Sequence, residues 1–209
     1  MKMKAYLELV RLPNVITAIA DVAAGYWILS HEFRFTPTLG WIVFTSAALY
    51  SAGIVLNDLC DVETDRRERP TRPLPSGRIT INAARMFCLT LIVLAMSSAT
   101  IAGRGMDLSI CHPTFITLIL LAIIFAYDFW SKATMLGPFN MGACRALNLL
   151  LGASVGSAAM HGQAPSELAF MTLAIFIYVS SFTYFGRDEA GQSKRRRLVI
   201  GGVGTIIGI

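Results

Sequence analysis

Six apolar stretches, at residues 14–30, 38–57, 81–102, 113–130, 137–159 and 167–186, follow one another along this chain with short polar segments between them. Each is close to the roughly 20 residues that a helix needs to cross a bilayer. A seventh begins near Leu198 and reaches Ile209 after 12 residues. The expected fold is all-α: a polytopic transmembrane helical bundle of about seven spans with a central cavity open to the cytoplasmic side. Because the last stretch is shorter than a span, the chain is expected to be one domain over 1–209 that is C-terminally incomplete, or to end in an interfacial segment. A composition of 55% hydrophobic and 15% charged residues with a mean hydropathy of +0.59 excludes a typical soluble domain of this length.

Lys2, Lys4 and Arg11 precede the first stretch as they would in a signal peptide, and Ala18-Ile-Ala20 resembles a cleavage site. That site comes before most of the apolar run and is followed by Asp21, so the segment reads as a retained span. With the N-terminus inside, fifteen of the eighteen Lys and Arg residues fall on inside segments, Arg34 and Arg104 fall outside, and Arg145 lies within a span. Such a bias sets orientation. The N-terminus and the charged loops are expected to face the cytoplasm of an inner-membrane protein. The net charge of +5 then reflects topology and anionic lipid, with no nucleic-acid partner needed.

Cys60, Cys88, Cys111 and Cys144 show no pairing pattern and are expected as free thiols packed like small apolar groups. His31, His112 and His161 all fall in or beside outside loops, where interfacial placement is expected over a metal site.

The chemistry concentrates after the second stretch. There the chain reads Asn57-Asp58-Leu-Cys-Asp61-Val-Glu-Thr-Asp65, then Arg69-Pro-Thr-Arg72-Pro-Leu-Pro-Ser-Gly77. At about 100° per residue, and with Asn57 as zero, Asp58, Asp61 and Asp65 fall at roughly 100°, 40° and 80°, on one side of a helix. Glu63 and Arg66 fall at roughly 240° and 180°, pointing elsewhere. Three carboxylates and an amide on one face repel unless a cation sits among them. Mg2+ suits such a set, since it takes one or two carboxylates and fills its remaining positions with water and substrate phosphate. Pro70 disfavours helix at Arg69, so Arg69 and Arg72 are expected on a loop from which they reach an anion. A solvated charged loop is the plainer alternative.

A second inside loop follows the same order of acids then bases: Arg187, Asp188 and Glu189, then Lys194 to Arg197. Asp188 and Glu189 are either a second half of a cation site or an ordinary acidic helix end. The four bases read as a positive-inside anchor. In Tyr127-Asp-Phe-Trp-Ser-Lys132, Lys132 either meets a phosphate as a point charge or snorkels to the interface. Arg145 and Asn148 lie three residues apart inside the fifth stretch. An arginine there needs partners in the bundle, either an acid, a substrate or a purely structural mate.

The pattern N-D-x-x-D-x-x-x-D followed by R-P-L-P-S-G at 72–77, with Arg11-Leu-Pro-Asn14 before it and Tyr127 to Lys132 after it, resembles the UbiA superfamily of intramembrane prenyltransferases. The Tyr127–Lys132 and Cys144-Arg-Ala-Leu-Asn148 segments resemble its EboC-like branch. That resemblance implies Mg2+-dependent transfer of an isoprenyl group from an isoprenyl diphosphate to a small acceptor molecule, often aromatic, within membrane lipid. It further implies that Asn57, Asp58, Asp61 and Asp65 hold the diphosphate through the metal. Asp188 and Glu189 would complete the metal set, and Arg69, Arg72, Lys132 and Arg187 would bind the diphosphate. The family has two separated aspartates in its second motif and nine spans, and this chain departs from both. Ionisation of the C–O bond leaves an allylic cation that aromatic faces stabilise. Tyr127, Phe129, Trp130, Phe182 and Tyr184 serve either that purpose or an interfacial belt. The alternative function is a non-catalytic membrane carrier or assembly factor retaining a degenerate prenyl-diphosphate site.

Overall fold

The computed structural model describes residues 2–32, 34–156 and 166–186, which form helices joined by turns, with no strand among them. In order these are α1 (Lys2–Leu9), α2 (Leu12–Ser30), α3 (Pro37–Cys60), α4 (Val62–Glu68), α5 (Ile81–Ala102), α6 (Pro113–Ala126) running into a π-helical turn (Tyr127–Ser131), α7 (Gly137–Gly156) and α8 (Ser166–Gly186).

Local chemistry sets the helix starts. Thr36 and Thr80 accept hydrogen bonds from the backbone amides of Leu39 and Ala83, capping α3 and α5. Pro37 and Pro113 stand in the first turns of α3 and α6, where a missing N–H is harmless. His112 caps α6: its Nδ1 accepts from Thr114 N while Nε2 sits 3.1 Å from Gly103 O. His112 is therefore a buried structural residue, not the interfacial one expected, because its ring replaces backbone partners that the turn before α6 cannot supply.

Five of the described helices are long and apolar enough to cross a membrane: α2, α3, α5, α6 with its π turn, and α8. Helix α7 has 20 residues, but Arg145, Asn140, Asn148 and its glycines leave it less apolar than these. The seventh span expected from Leu198 lies outside the described residues, as does His161.

Large apolar side chains cover the outward faces, among them Met86, Leu89 and Val93 of α5 and Phe170, Leu173 and Phe182 of α8. That arrangement suits lipid. Lipid gives helices little hydrophobic reason to associate, so small residues that permit close backbone approach matter more. The α2–α7 contact is built this way. A Cβ added to Gly25 would lie 1.9 Å from Leu149 O, and one added to Gly152 would lie 2.0 Å from Val22 O.

Helix α3 runs through the middle, packing against α2, α5, α6 and α7. Around its C-terminal end Val55 and Ala52 join Ala5, Leu9, Leu74, Ile79 and Ala84 in one apolar cluster. Leu74 and Ile79 belong to the loop between α4 and α5. Burying them fixes that loop, and Arg78 adds a 2.5 Å ion pair with Glu8 of α1. Gly77 adopts φ 72°, a left-handed turn that favours glycine.

Of the cysteines, all four are free, with Cys88 buried but Cys60 and Cys111 exposed, so only part of the set packs as expected.

Candidate functional site

The acidic motif does not lie on one unbroken helix. Helix α3 ends at Cys60, Asp61 takes φ −95° and ψ 5°, and α4 resumes at Val62. The backbone still bonds Asp61 N to Asn57 O and Asp65 N to Asp61 O. The bend divides the motif. Asp58 and Asp65 face a common point, while Asp61 turns toward α6.

Arg72 occupies that common point. Its Nη1 is 2.6 Å from Asp65 Oδ2 and 3.6 Å from Asp58 Oδ1. Arg11 adds a 2.6 Å hydrogen bond to the same Asp58 oxygen. Asp58 and Asp65 are buried, whereas Arg69, more than half exposed, approaches Asp65 at 3.9 Å. As Pro70 foretold, α4 stops at Glu68, and both Arg69 and Arg72 lie on the loop. Glu63 and Arg66 pair with each other on the exposed side.

Two rungs join the end of α3 to the π turn. Asn57 Nδ2 donates to Asp128 Oδ1 at 3.1 Å, and Lys132 Nζ donates to Asp61 Oδ1. The widened turn, marked by the bond from Lys132 N to Tyr127 O, sets the phase in which Asp128 and Lys132 face α3. Arg187, Asp188 and Glu189 lie outside the described residues.

A cavity of about 340 Å3 opens beside this cluster. Arg11, Asn14, Asn57, Tyr127 and Asp128 line its rim, and Ser46, Arg145 and Asn148 line its other end. Tyr127 is the one aromatic residue of the five named that lines it. Phe129, Trp130 and Phe182 are well exposed, in keeping with the belt.

Behind the cavity, Arg145 finds the acid that its place in a span requires. Its Nη2 donates to Asp21 Oδ1 at 2.9 Å and its Nη1 to Thr17 Oγ1 at 2.8 Å. Nε is 2.8 Å from Asp21 Oδ2 but makes no hydrogen bond. Asn148 Nδ2 donates to Ala18 O at 2.7 Å, and its Oδ1 accepts from Ser46 at 2.8 Å. Arg11, Asp21 and Asp128 were given no site role from sequence, although Arg11 and Asp128 lie in segments that carry the family resemblance. Asp21 and Asp128 interrupt apolar runs, and an acid in such a run is a signal in its own right.

The donor set suits a hard divalent ion: carboxylate and amide oxygens, with no sulfur or imidazole. Among the described residues no three His, Cys, Asp or Glu side chains converge as ligands for one ion. Mg2+ does not need three, because one or two carboxylates suffice when phosphate completes the shell. A cationic nitrogen already bridges Asp58 and Asp65, so these two acids are placed about a single positive charge, and the residues fit such an ion.

The sequence profile of the UbiA prenyltransferase family matches residues 18–200. The digeranylgeranylglyceryl phosphate synthase of Sulfolobus acidocaldarius is 29% identical over 207 residues, covering 99% of this chain and 69% of the relative. That of Sulfurisphaera tokodaii is 31% identical over 185 residues, covering 85% of this chain and 61% of the relative. Among solved structures, a digeranylgeranylglyceryl phosphate synthase superposes with a TM-score of 0.78 at 23% identity, over 99% of this chain and 75% of that one. A UbiA homolog from Archaeoglobus fulgidus bound to GPP and Mg2+ does so at 0.69 and 16% identity, over 96% of this chain and 67% of that one. At these identities the structural likeness shows a shared fold.

Proposed function

Because this chain belongs to the UbiA prenyltransferase family, we propose that it transfers an isoprenyl group from a prenyl diphosphate to the hydroxyl of a small acceptor within the membrane. The observation that carries the reading is the placement of buried Asp58 and Asp65 around one cationic nitrogen of Arg72, beside a cavity whose rim is lined by Asn57 and by Arg11, the second partner of Asp58.

Asp58 and Asp65, with Asn57 and Asp61 released from their present partners, would hold Mg2+ together with the diphosphate, and the metal would supply neutralisation of the leaving group. Arg72, Arg69 and Lys132 now rest on carboxylates from which they can transfer to phosphate oxygens, where they stabilise the charge that builds as the C–O bond ionises. Arg11, bound to Asp58, joins them. Arg187, Asp188 and Glu189 belong to the same site in this proposal, although they lie outside the described residues. The Tyr127 ring, which lines the cavity, is placed to face the allylic cation. The acceptor's hydroxyl oxygen attacks that cation, and its proton passes to a carboxylate or to released diphosphate.

The relatives are named for a prenylated glyceryl phosphate. That favours a hydroxyl acceptor of the glycerol type, and none of those names points to an aromatic one. A seventh span, an inner-membrane location and a cytoplasmic rim complete the proposal, supported by the one-sided distribution of Lys and Arg.

The test is to supply labelled geranyl, farnesyl and geranylgeranyl diphosphates to membranes containing the protein, with and without Mg2+, and identify the labelled product. Asp61→Asn should abolish labelling while leaving the amount of folded protein unchanged. Labelling that survives this substitution removes Asp61 from the site, and wild-type protein that labels nothing favours the carrier or assembly factor instead.

A further inference from the structure

The charges around Asp58 and Asp65 favour one form of metal over another. Resting on the function proposed above, we infer that Arg72 is a resident counterion that keeps a free divalent cation off Asp58 and Asp65, so that the metal enters this site as its complex with a diphosphate.

Each aspartate of the 57–65 motif already has a cationic partner. Asp58 meets Arg11 at 2.6 Å and Arg72 at 3.6 Å, Asp65 meets Arg72 at 2.6 Å and Arg69 at 3.9 Å, and Asp61 pairs with Lys132. Around Asp58 and Asp65, three guanidiniums therefore meet two carboxylates, and positive charge is in excess. Both acids are buried, where water and salt screen charge far less than at the surface. A metal ion arriving alone would add its own double positive charge to that excess. It would also need the space that Arg72 holds, because Mg2+ takes its oxygens at about 2.0–2.1 Å and Nη1 of Arg72 stands between the two carboxylates. A diphosphate reverses the balance. Its negative charge exceeds the positive charge of one bound metal ion, so the complex is an anion, and a guanidinium pairs with phosphate oxygens at least as well as with a carboxylate.

The exchange asks little of the backbone. Arg72 N donates to Arg69 O at 3.1 Å, and Arg72 O accepts from Ser76 N at 3.0 Å and from Ser76 Oγ at 2.6 Å. Two residues on, Leu74 is buried in the apolar cluster at the end of α3. The main chain at Arg72 is thus pinned, while its side chain stays 26% accessible and has a way outward. By moving from carboxylates to phosphate oxygens, the guanidinium vacates the gap that the metal fills. Arg72 is accordingly a specificity-determining residue that selects the metal–diphosphate complex over the bare ion.

The test uses the full chain in lipid nanodiscs with Mn2+, an ion that shares the oxygen preference of Mg2+, supplied alone and with inorganic pyrophosphate. Retention of metal and of pyrophosphate is measured by equilibrium dialysis against empty nanodiscs. Wild-type protein should hold Mn2+ alone more weakly than Mn2+ with pyrophosphate by roughly ten-fold or more, the ratio that about 1.4 kcal/mol gives. Arg72→Gln should tighten binding of Mn2+ alone by roughly ten-fold and weaken retention of the pyrophosphate complex by a similar factor. A loop that had merely lost its structure would weaken both. Arg72→Lys, which keeps the positive charge, should leave Mn2+ alone as weakly held as in wild type. Asp58→Asn added to Arg72→Gln should cancel the gain. If Arg72→Gln fails to fold, Arg11→Gln, which strips the other guanidinium from Asp58, should tighten Mn2+ alone in the same direction. Wild-type protein that holds Mn2+ equally well with and without pyrophosphate overturns the inference and leaves the proposed function standing. So does Arg72→Gln protein with no gain for Mn2+ alone, a gain that Arg72→Lys shares, or one that survives Asp58→Asn. Wild-type protein that retains neither metal nor pyrophosphate when both are supplied overturns the metal-dependent function itself.

Discussion

Gly25→Ala addresses the contact on which the cavity's inner end depends. The new Cβ would lie 1.9 Å from Leu149 O and 2.8 Å from Leu149 C, both backbone atoms that no rotamer change can move. Ordinary contact begins near 3.4 Å, so α2 and α7 must separate locally by about 1.5 Å. Leu149 adjoins Asn148, and Gly25 is one turn from Asp21. The bond from Asn148 to Ala18 O, now 2.7 Å, and that from Arg145 to Asp21, now 2.9 Å, would both exceed hydrogen-bonding distance. Overpacking costs about 1–3 kcal/mol. The lost bonds add about 1 kcal/mol for the neutral pair and about 1.5–3 for the charged one, and the gain in helix propensity returns about 1. The expected net loss is about 4 kcal/mol. It is read from thermal unfolding in detergent by circular dichroism, together with the rate at which a thiol reagent modifies Cys144, which lines the same cavity. Gly40→Ala is the control, since its Cβ would meet only the Phe35 ring at 3.6 Å, an ordinary distance. Unfolding of Gly25→Ala within about 1 kcal/mol of the Gly40→Ala protein would refute the close crossing of α2 and α7.

Arg72→Gln removes the cation shared by Asp58 and Asp65, and should weaken prenyl diphosphate binding by roughly ten-fold or more in an equilibrium titration. Leu74→Ala empties a buried site under the same loop and should cost about 2–4 kcal/mol in unfolding, with diphosphate binding weakened because Arg72 is no longer held. His112→Ala deletes the cap of α6 and should cost about 1 kcal/mol by the same unfolding measurement, with transfer activity intact.

The long helices were legible to within a few residues because apolar runs end where caps and prolines stand, whereas the short α1 was not expected. The run at 81–102 coincides with α5, and that at 38–57 falls inside Pro37–Cys60. The motif itself was legible as a set of oxygen donors beside arginines, but its geometry was not. Helical periodicity assigned Asp58, Asp61 and Asp65 one face, whereas the bend at Asp61 sends that residue to Lys132. A bend of this kind is set by what α6 and the 69–80 loop offer in three dimensions, which local spacing does not encode. Arg11, read from the sequence as part of the Arg11-Leu-Pro-Asn14 segment, was given no place in the site for the same reason, its partner being 47 residues away. Asp21 was within reach: the reasoning that flagged Arg145 as a charge needing a mate applies equally to an acid in the first apolar run.

The π turn at Tyr127–Ser131 protects length more than identity. Before it, Leu120 and Ile124 line the cavity, while Asp128 within it and Lys132 just after it reach Asn57 and Asp61. Removing one residue there would rotate everything beyond it by about 100° and unhook both rungs together. A side chain on its lipid side can be exchanged freely, whereas a single-residue deletion leaves the two halves of the site out of step, a frameshift in space that no point substitution nearby can repair.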